Sequence, residues 1–391
     1  MKLTVKQMNK KINYIFFMAA IFVQAFVDGY YIADGNEPMA MKVLKYALVA
    51  GGIAWGLLQI FRRKHFVFLK ELRNVLFAVL TFLLVSLFLI LFRDGDLGTC
   101  LELIVRYTMS ILYAFVLLNV MDFDDIYRLM AYSLAVSIFG FFLEIGTVLF
   151  DPSFYSKISF YNSYSPFESS FFAAPSINCC AFFLYYRKNK LISLTSFLFV
   201  PLTFKRPQIV FAVIFLLLPL FVDPNKRVKK STHWLMCLGT VIATVLWYQL
   251  MLPESEWIIE GIMGRSTQSL TSGRSTVLRN VLDTGYRYGG LGSSSLVAGR
   301  SMEMDLVAFM LEMSLPVLAL FVFCFASLSG RRIYTVIVMV FQLFSFMTGS
   351  GLYNIMGMLL LYLFFGSVNY LQPDALRMTE RKRKWIRIKF R

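Results

Sequence analysis

Polar residues punctuate this chain between long apolar runs, and neither the alternation of a half-buried strand nor the one-sided stripe of a surface helix dominates. Many runs approach the roughly 20 apolar residues that a helix needs to cross a bilayer. Windowed hydropathy predicts about twelve spans. The first six are Ile12–Ala33, Lys42–Phe61, Val75–Phe92, Leu101–Val120, Ile126–Leu149 and Ser169–Tyr186. The second half contributes Leu191–Phe204, Pro207–Val222, Trp234–Leu252, Met304–Leu328, Ile333–Thr348 and Leu352–Val368. The seventh and eighth are short, so one of them is expected to be re-entrant or tilted. The fold class that follows is an all-α polytopic membrane protein.

Two interruptions are longer than connectors need to be. Asp151–Glu168 is rich in Ser, Tyr and Phe, and Pro253–Glu303 is longer still. Loops of this length are uncommon unless functional or disordered. The second has a helical pattern of its own, because Val277/Leu278 and Val281/Leu282 recur at helical spacing after Ser272, a candidate cap. A short amphipathic helix lying on the outer surface is expected there. The chain then divides into residues 1–252 with spans one to nine, the loop 253–303, residues 304–368 with spans ten to twelve, and the tail 369–391.

Composition agrees with a bilayer environment. Of 391 residues 58% are apolar and only 16% charged, with a mean hydropathy of +0.64, whereas soluble domains run near a quarter charged. The net charge of +16 invites a nucleic-acid partner, but its placement argues against one. Lys2, Lys6, Lys10 and Lys11 precede the first span, and further basic clusters occupy 62–64, 187–190, 226–230, 331–332 and the tail. An N-terminus inside the cell puts every one of these inside, leaving 27 Lys and Arg within and 12 outside or near the outer half. The basic tail, with Arg381–Lys384, suits anionic lipid headgroups. The basic, apolar start is read as a retained first helix rather than a signal peptide. Five cysteines, nearly all within apolar runs, form no disulfide framework and no zinc pattern.

Candidate chemistry concentrates in and beside the long loop, external in this topology. Its basic residues are Arg265, Arg274, Arg279, Arg287 and Arg300, with no Lys. Arginine binds phosphate through paired hydrogen bonds and keeps its charge at any relevant pH. The external Lys205-Arg206 turn adds two more cations. Gly289-Gly290-Leu291-Gly292 follows the amphipathic helix, and its glycines, Gly290 and Gly292 among them, would let backbone amides approach a phosphate closely. Span ten opens with Glu303 and Asp305 and carries Glu312 inside the membrane. Asp305 and Glu312, seven residues apart, share a helix face about 10 Å apart. An ionisable residue within a span marks a functional site by default; the structural alternative is a partner for a buried Arg. Pro316 is expected to kink this span. Arg106 and Glu144 sit at similar depths in spans four and five and are expected to pair. His65 and His233 fall on cytoplasmic edges, so a base acting outside has to be a carboxylate.

These features together resemble the Wzy-type polysaccharide polymerases, within the wider group of O-antigen polymerases and ligases. The resemblance covers the plan of the whole chain. It is sharpest at Ser272-Gly273-Arg274, then Gly289-Gly290-Leu291-Gly292, then Glu312 in the next span. Arg274/Gly285 and Arg279/Gly290 match a family spacing of an Arg and a Gly eleven positions on, and Lys205-Arg206 resembles a basic turn found in many members. Where ligase-like members often carry a His, this chain has Glu303 and Asp305, which favours polymerase over ligase.

The resemblance implies a metal-independent, cofactor-free glycosyltransferase. It would move a growing glycan from an undecaprenyl-diphosphate carrier to the next lipid-linked repeat at the outer face of the cytoplasmic membrane. A chain-length regulator and a flippase would be partners. The leaving diphosphate needs fixed cations, for which Arg206, Arg274 and Arg279 are first candidates, with Lys205, Arg265 and Arg287 beside them. The acceptor hydroxyl needs a base, Asp305 or Glu303. Tyr155, Tyr161 and Tyr164 would stack on sugar rings. Three rival readings remain: a flippase for the same lipid-linked sugars, against which stands the absence of a visible internal repeat, a ligase acting on finished chains, and a structural or assembly protein, which would leave the external Arg and Glu without a purpose.

Overall fold

A computed structural model describes residues 5–32, 37–63, 69–93, 96–146, 153, 171–264 and 266–371. The described residues are helical, with no strand beyond one isolated antiparallel bridge between Arg227 and Arg332. Five long helices open the chain: α1 Val5–Phe26, α2 Met39–Arg63, α3 Lys70–Phe92, α4 Leu97–Val120 and α5 Phe123–Ile145. Next come α6 Ala173–Tyr186, α7 Lys190–Leu202, α8 Arg206–Phe221 and α9 Lys230–Leu250. The long loop holds four short helices, α10 Glu256–Met263, α11 Thr267–Leu270, α12 Arg274–Asp283 and α13 Ser293–Ala298. The chain returns to the bundle with α14 Asp305–Met313, α15 Leu315–Ala326, α16 Ile333–Thr348 and α17 Ile355–Tyr370.

Among the described residues six helical segments are long and apolar enough to cross a membrane: Met8–Tyr31, Met39–Arg62, Lys70–Phe92, Leu97–Val120, Phe123–Ile145 and Lys230–Leu250. At 1.5 Å per residue each reaches or exceeds the roughly 30 Å of hydrocarbon. Five further apolar helices, including α7 and α8, are shorter. The predicted tenth span is broken into α14 and α15.

Polar residues set the helix boundaries. Asp96 accepts from the Gly98 and Thr99 amides at the start of α4, and Asp122 and Asp125 form a reciprocal capping box on α5. Asn189 and Asn354 cap α7 and α17. Burial then sorts the helices. In α17 every residue from Ile355 to Val368 is buried, as expected of a helix apolar all round. In α9 only Cys237, Val241 and Thr244 are buried. Its exposed Leu235, Leu238, Ile242 and Leu246 form one stripe, as do Phe77, Leu80, Leu84, Phe88 and Leu91 on α3. Such continuous apolar stripes suit contact with lipid.

The basic loops meet at one end of the bundle. Val228 donates to the Arg331 carbonyl at 2.8 Å and Ile333 to that of Lys226 at 2.9 Å, which ties 226–230 to 331–332. Arg332 reaches Tyr185 and Asn225, Lys188 pairs with Asp124 at 2.5 Å, and Lys10 pairs with Asp122 and Asp125. His233 also lies at this end, against the Ala326 carbonyl. His65, Arg265, the segment with Tyr155, Tyr161 and Tyr164, and the tail from residue 372 onward lie outside the described residues.

Candidate functional site

At the opposite end the long loop folds back onto the bundle. Helix α12 buries Val277, Leu278 and Val281, the last two in a small apolar core with Met251, Met302, Met304, Val307 and Ala308. The amphipathic helix is thus where the periodicity places it, but its apolar face packs on protein. Ser272 is not its cap: Gly273, at φ +80°, precedes the helix, and no side chain caps it.

Beyond α12 the chain re-enters the bundle through Gly289–Gly292. The Leu291 amide donates to Ser86 Oγ at 2.9 Å, and Ser86 lies six residues, about 9 Å, in from the end of α3. Gly290 and Gly292 have φ of +89° and +84°. A Cβ on Gly292 would stand 2.7 Å from Thr99 Cγ2, so both conformation and space demand glycine.

Glu312 anchors this turn. Its carboxylate, 1% exposed, accepts from the Gly292 amide at 2.8 Å and from the Ser294 amide and hydroxyl at 3.2 and 2.5 Å. Its backbone carbonyl accepts from the Gly290 amide at 3.1 Å. Pro316 explains why that carbonyl is open. In a continuous helix residue 316 would donate to the carbonyl of 312, and proline has no N–H. The chain breaks at Ser314, with φ +122°, so the expected kink is a full break two residues before the proline. The glycine cluster was expected to cradle phosphate with free amides. Those of Gly290, Leu291, Gly292 and Ser294 all donate within the protein, which leaves an anion to be met by side chains.

Asp305 plays a parallel part. It is 1% exposed, and its Oδ2 accepts from the Gly351 and Leu352 amides at 2.8 and 3.0 Å, fixing the turn between α16 and α17. Glu303 differs. It is exposed, has φ +53°, and pairs with Arg274 at 3.2 Å.

Glu303 borders a cavity of about 410 Å³ whose floor is Ser350, Gly351, Tyr353 and Asn354. Its walls come from the other half of the chain, with Asp28 on α1's continuation, Lys45 and Tyr46 on α2, and Arg106 on α4. Asp28 sits in a π-helical turn, Val27–Ile32, and receives both its hydrogen bonds from Gln24. Such turns often accompany functional sites. Lys45 pairs with Glu37 at 2.5 Å. The expected Arg106–Glu144 pair does not form. Arg106 meets Glu102 at 2.6 Å, one turn earlier on its own helix, and Glu144 lies instead within electrostatic reach of Asp28.

A second cavity, of about 380 Å³, lies on the other side of the glycine turn between Arg93 and Tyr286–Gly289. Arg287 lines it, Arg93 donates to the Tyr288 carbonyl at 2.9 Å, and burial pushes the Tyr286 phenol up to about 12. Arg279 is spent on structure, donating to Glu256 at 3.1 Å and to the Met251 carbonyl at 3.2 Å. Lys205 and Arg206 border neither cavity.

The structure therefore brings Glu303 and the turn held by Asp305 to one cavity, with Arg274 joined to it through Glu303 and Arg287 at the neighbouring cavity. Asp28, Lys45, Tyr46, Tyr353 and Asn354 were not singled out in the sequence. Of these Asp28 and Lys45, ionisable residues inside predicted spans, carried a signal. Comparison of the chain with protein-family models, curated proteins and solved structures found no match.

Proposed function

We propose that this protein is a membrane glycosyltransferase that polymerises lipid-diphosphate-linked glycan repeats, with its reaction centre in the cavity beside Glu303. The observation that carries the reading is the pair Arg274–Glu303, of which Glu303 lines the cavity. Of the three acids at the start of span ten, Asp305 and Glu312 are buried and engaged by amides, and Glu303 alone is exposed to substrate.

In this reading an acceptor hydroxyl attacks the anomeric carbon of the growing chain. The bond from that carbon to the diphosphate oxygen breaks, and its electron pair leaves with the diphosphate. The hydroxyl proton passes to Glu303. Arg274 stabilises the charge that grows on the leaving group. At rest it is paired with Glu303, so an arriving diphosphate would draw the guanidinium away and release the carboxylate. Asp28, Asn354 and the tyrosines of the cavity offer both donors and acceptors to sugar hydroxyls.

The test is the length distribution of surface polysaccharide in cells carrying Arg274→Ala, Arg274→Lys or Glu303→Gln, with membrane abundance checked. Each should collapse the ladder to single repeats, Arg274→Ala at least as severely as Arg274→Lys, and the loss expected for one base or one charge is 10²- to 10⁴-fold in rate. An unchanged ladder in all three removes this pair from the chemistry.

A second reading has its own support. The break between α14 and α15, and separately the ionisable cluster of Asp28, Glu37 and Lys45 in the polar cavity, are features transporters use at substrate sites. A flippase of lipid-linked glycans would show a different defect in the same experiment: no repeat would reach the outer face.

A further inference from the structure

Beside the polar cavity, on the flank of the bundle between α2 and α4, lies a hollow of about 380 Å³ lined by Leu101, Val105 and Met109 with Lys42, Tyr46 and Glu102. Tyr46 borders both spaces, as the wall between them. A chain of charge crosses the same wall. Glu102 accepts from Lys42 at 2.8 Å on the hollow's side and from Arg106 at 2.6 Å, and Arg106 lines the polar cavity. The Arg106 Nε is buried with no acceptor. Leu101 and Val105 are 43% and 45% exposed on the apolar flank.

We propose that this hollow seats the isoprenoid chain of the donor lipid, and that its diphosphate passes Lys42 and Tyr46 to reach Arg106 and Lys45. The proposal rests on the polymerase reading. A polyprenyl lipid cannot rise out of the bilayer to reach a site above it, because each buried methylene holds it by about 0.8 kcal/mol. Its head must enter sideways while the chain stays in an apolar slot. The hollow supplies the slot, and the wall supplies two cations that share the single carboxylate of Glu102, with Lys45 beyond them held by Glu37. A phosphate would replace Glu102 between Lys42 and Arg106, and it would also satisfy the open Arg106 Nε through the fork geometry that guanidinium offers. Past these cations the polar cavity continues with Asp28, Tyr353 and Asn354. That is where a sugar borne on the far side of a diphosphate would lie, whereas phosphatidylglycerol has a single phosphate and only a three-carbon glycerol beyond it. Arg274 would then face the same diphosphate from the cavity mouth.

The test is ligand binding to the full-length protein in nanodiscs, measured by native mass spectrometry. The probes are undecaprenyl diphosphate, inorganic diphosphate and phosphatidylglycerol. The wild type should bind undecaprenyl diphosphate in preference to phosphatidylglycerol. Val105→Trp and Leu101→Trp, which fill the hollow from its exposed side, should weaken undecaprenyl diphosphate about tenfold and leave inorganic diphosphate unchanged. Lys42→Ala should weaken both. Val105→Phe serves if the tryptophan variants are not recovered. Unaltered lipid binding in the filled variants overturns the hollow as the seat and leaves the polymerase reading standing. Equal binding of phosphatidylglycerol makes it a site for bulk lipid and also overturns the proposal. Failure of the wild type to bind undecaprenyl diphosphate at all removes both.

Discussion

Glu312 shows how one residue can look catalytic in sequence and act as a joint in the structure. Three donors converge on its carboxylate in a buried setting. A buried donor left without a partner costs about 1–3 kcal/mol. Glu312→Ala should therefore lower the thermal midpoint of the detergent-purified protein by several degrees. Glu312→Gln should fall between, since an amide oxygen still accepts while its NH₂ group faces a second donor. An Ala variant that melts with the wild type would mean that the turn is held by something else. Glu303, exposed and paired only at the mouth, should behave oppositely, with Glu303→Gln melting as the wild type does. The prominence of Glu312 and Asp305 was legible in the sequence, because charge inside an apolar run is expensive. Their partners were not. The amides that engage them lie 18 to 47 residues further on or back along the chain, on turns whose positions only the packed bundle fixes.

At the scale of elements, the break between α14 and α15 and the re-entrant glycine turn are one device. Pro316 leaves the Glu312 carbonyl unused, and Gly290 takes it. Pro316→Ala restores a donor in register with that carbonyl, so a continuous helix can compete with the turn for the same acceptor. The expected result is a bundle that still assembles but a loop that is released, read as faster proteolytic cleavage between Gly285 and Gly292 with unchanged membrane abundance. Cleavage at the wild-type rate would show that the turn holds without this carbonyl. The long apolar helices, their order and the shortness of α7 and α8 could all be read from hydropathy, because solvation by lipid acts on each run separately. The break was visible only as a proline. The descent of the loop was invisible, because its seat is Ser86, 205 residues away, and nothing local marks a serine on α3 as a receiver.

For the whole molecule the governing fact is its two-ended distribution of charge. Basic loops from four places in the chain meet at one end, bound to each other and to Asp122, Asp124 and Asp125. The long loop and both polar cavities occupy the other. In the proposed reading charge bias places the basic end in the cytoplasm, and the reading requires that placement: a lipid-linked glycan that has already crossed the membrane would be polymerised only by a site facing outward. Exposed positions at each end test the assignment. The native cysteines interfere little, since Cys100, Cys179, Cys180 and Cys237 are buried and Cys324 partly so. In intact cells a membrane-impermeant maleimide should label Tyr288→Cys, which is 45% exposed beside the second cavity, and should label Lys188→Cys only after the membrane is opened. The reverse pattern would turn the cavities toward the cytoplasm. An inward-facing Arg274–Glu303 pair would meet lipid-linked repeats before they cross, and the structure would then be better explained as the loading side of a transporter than as a polymerase.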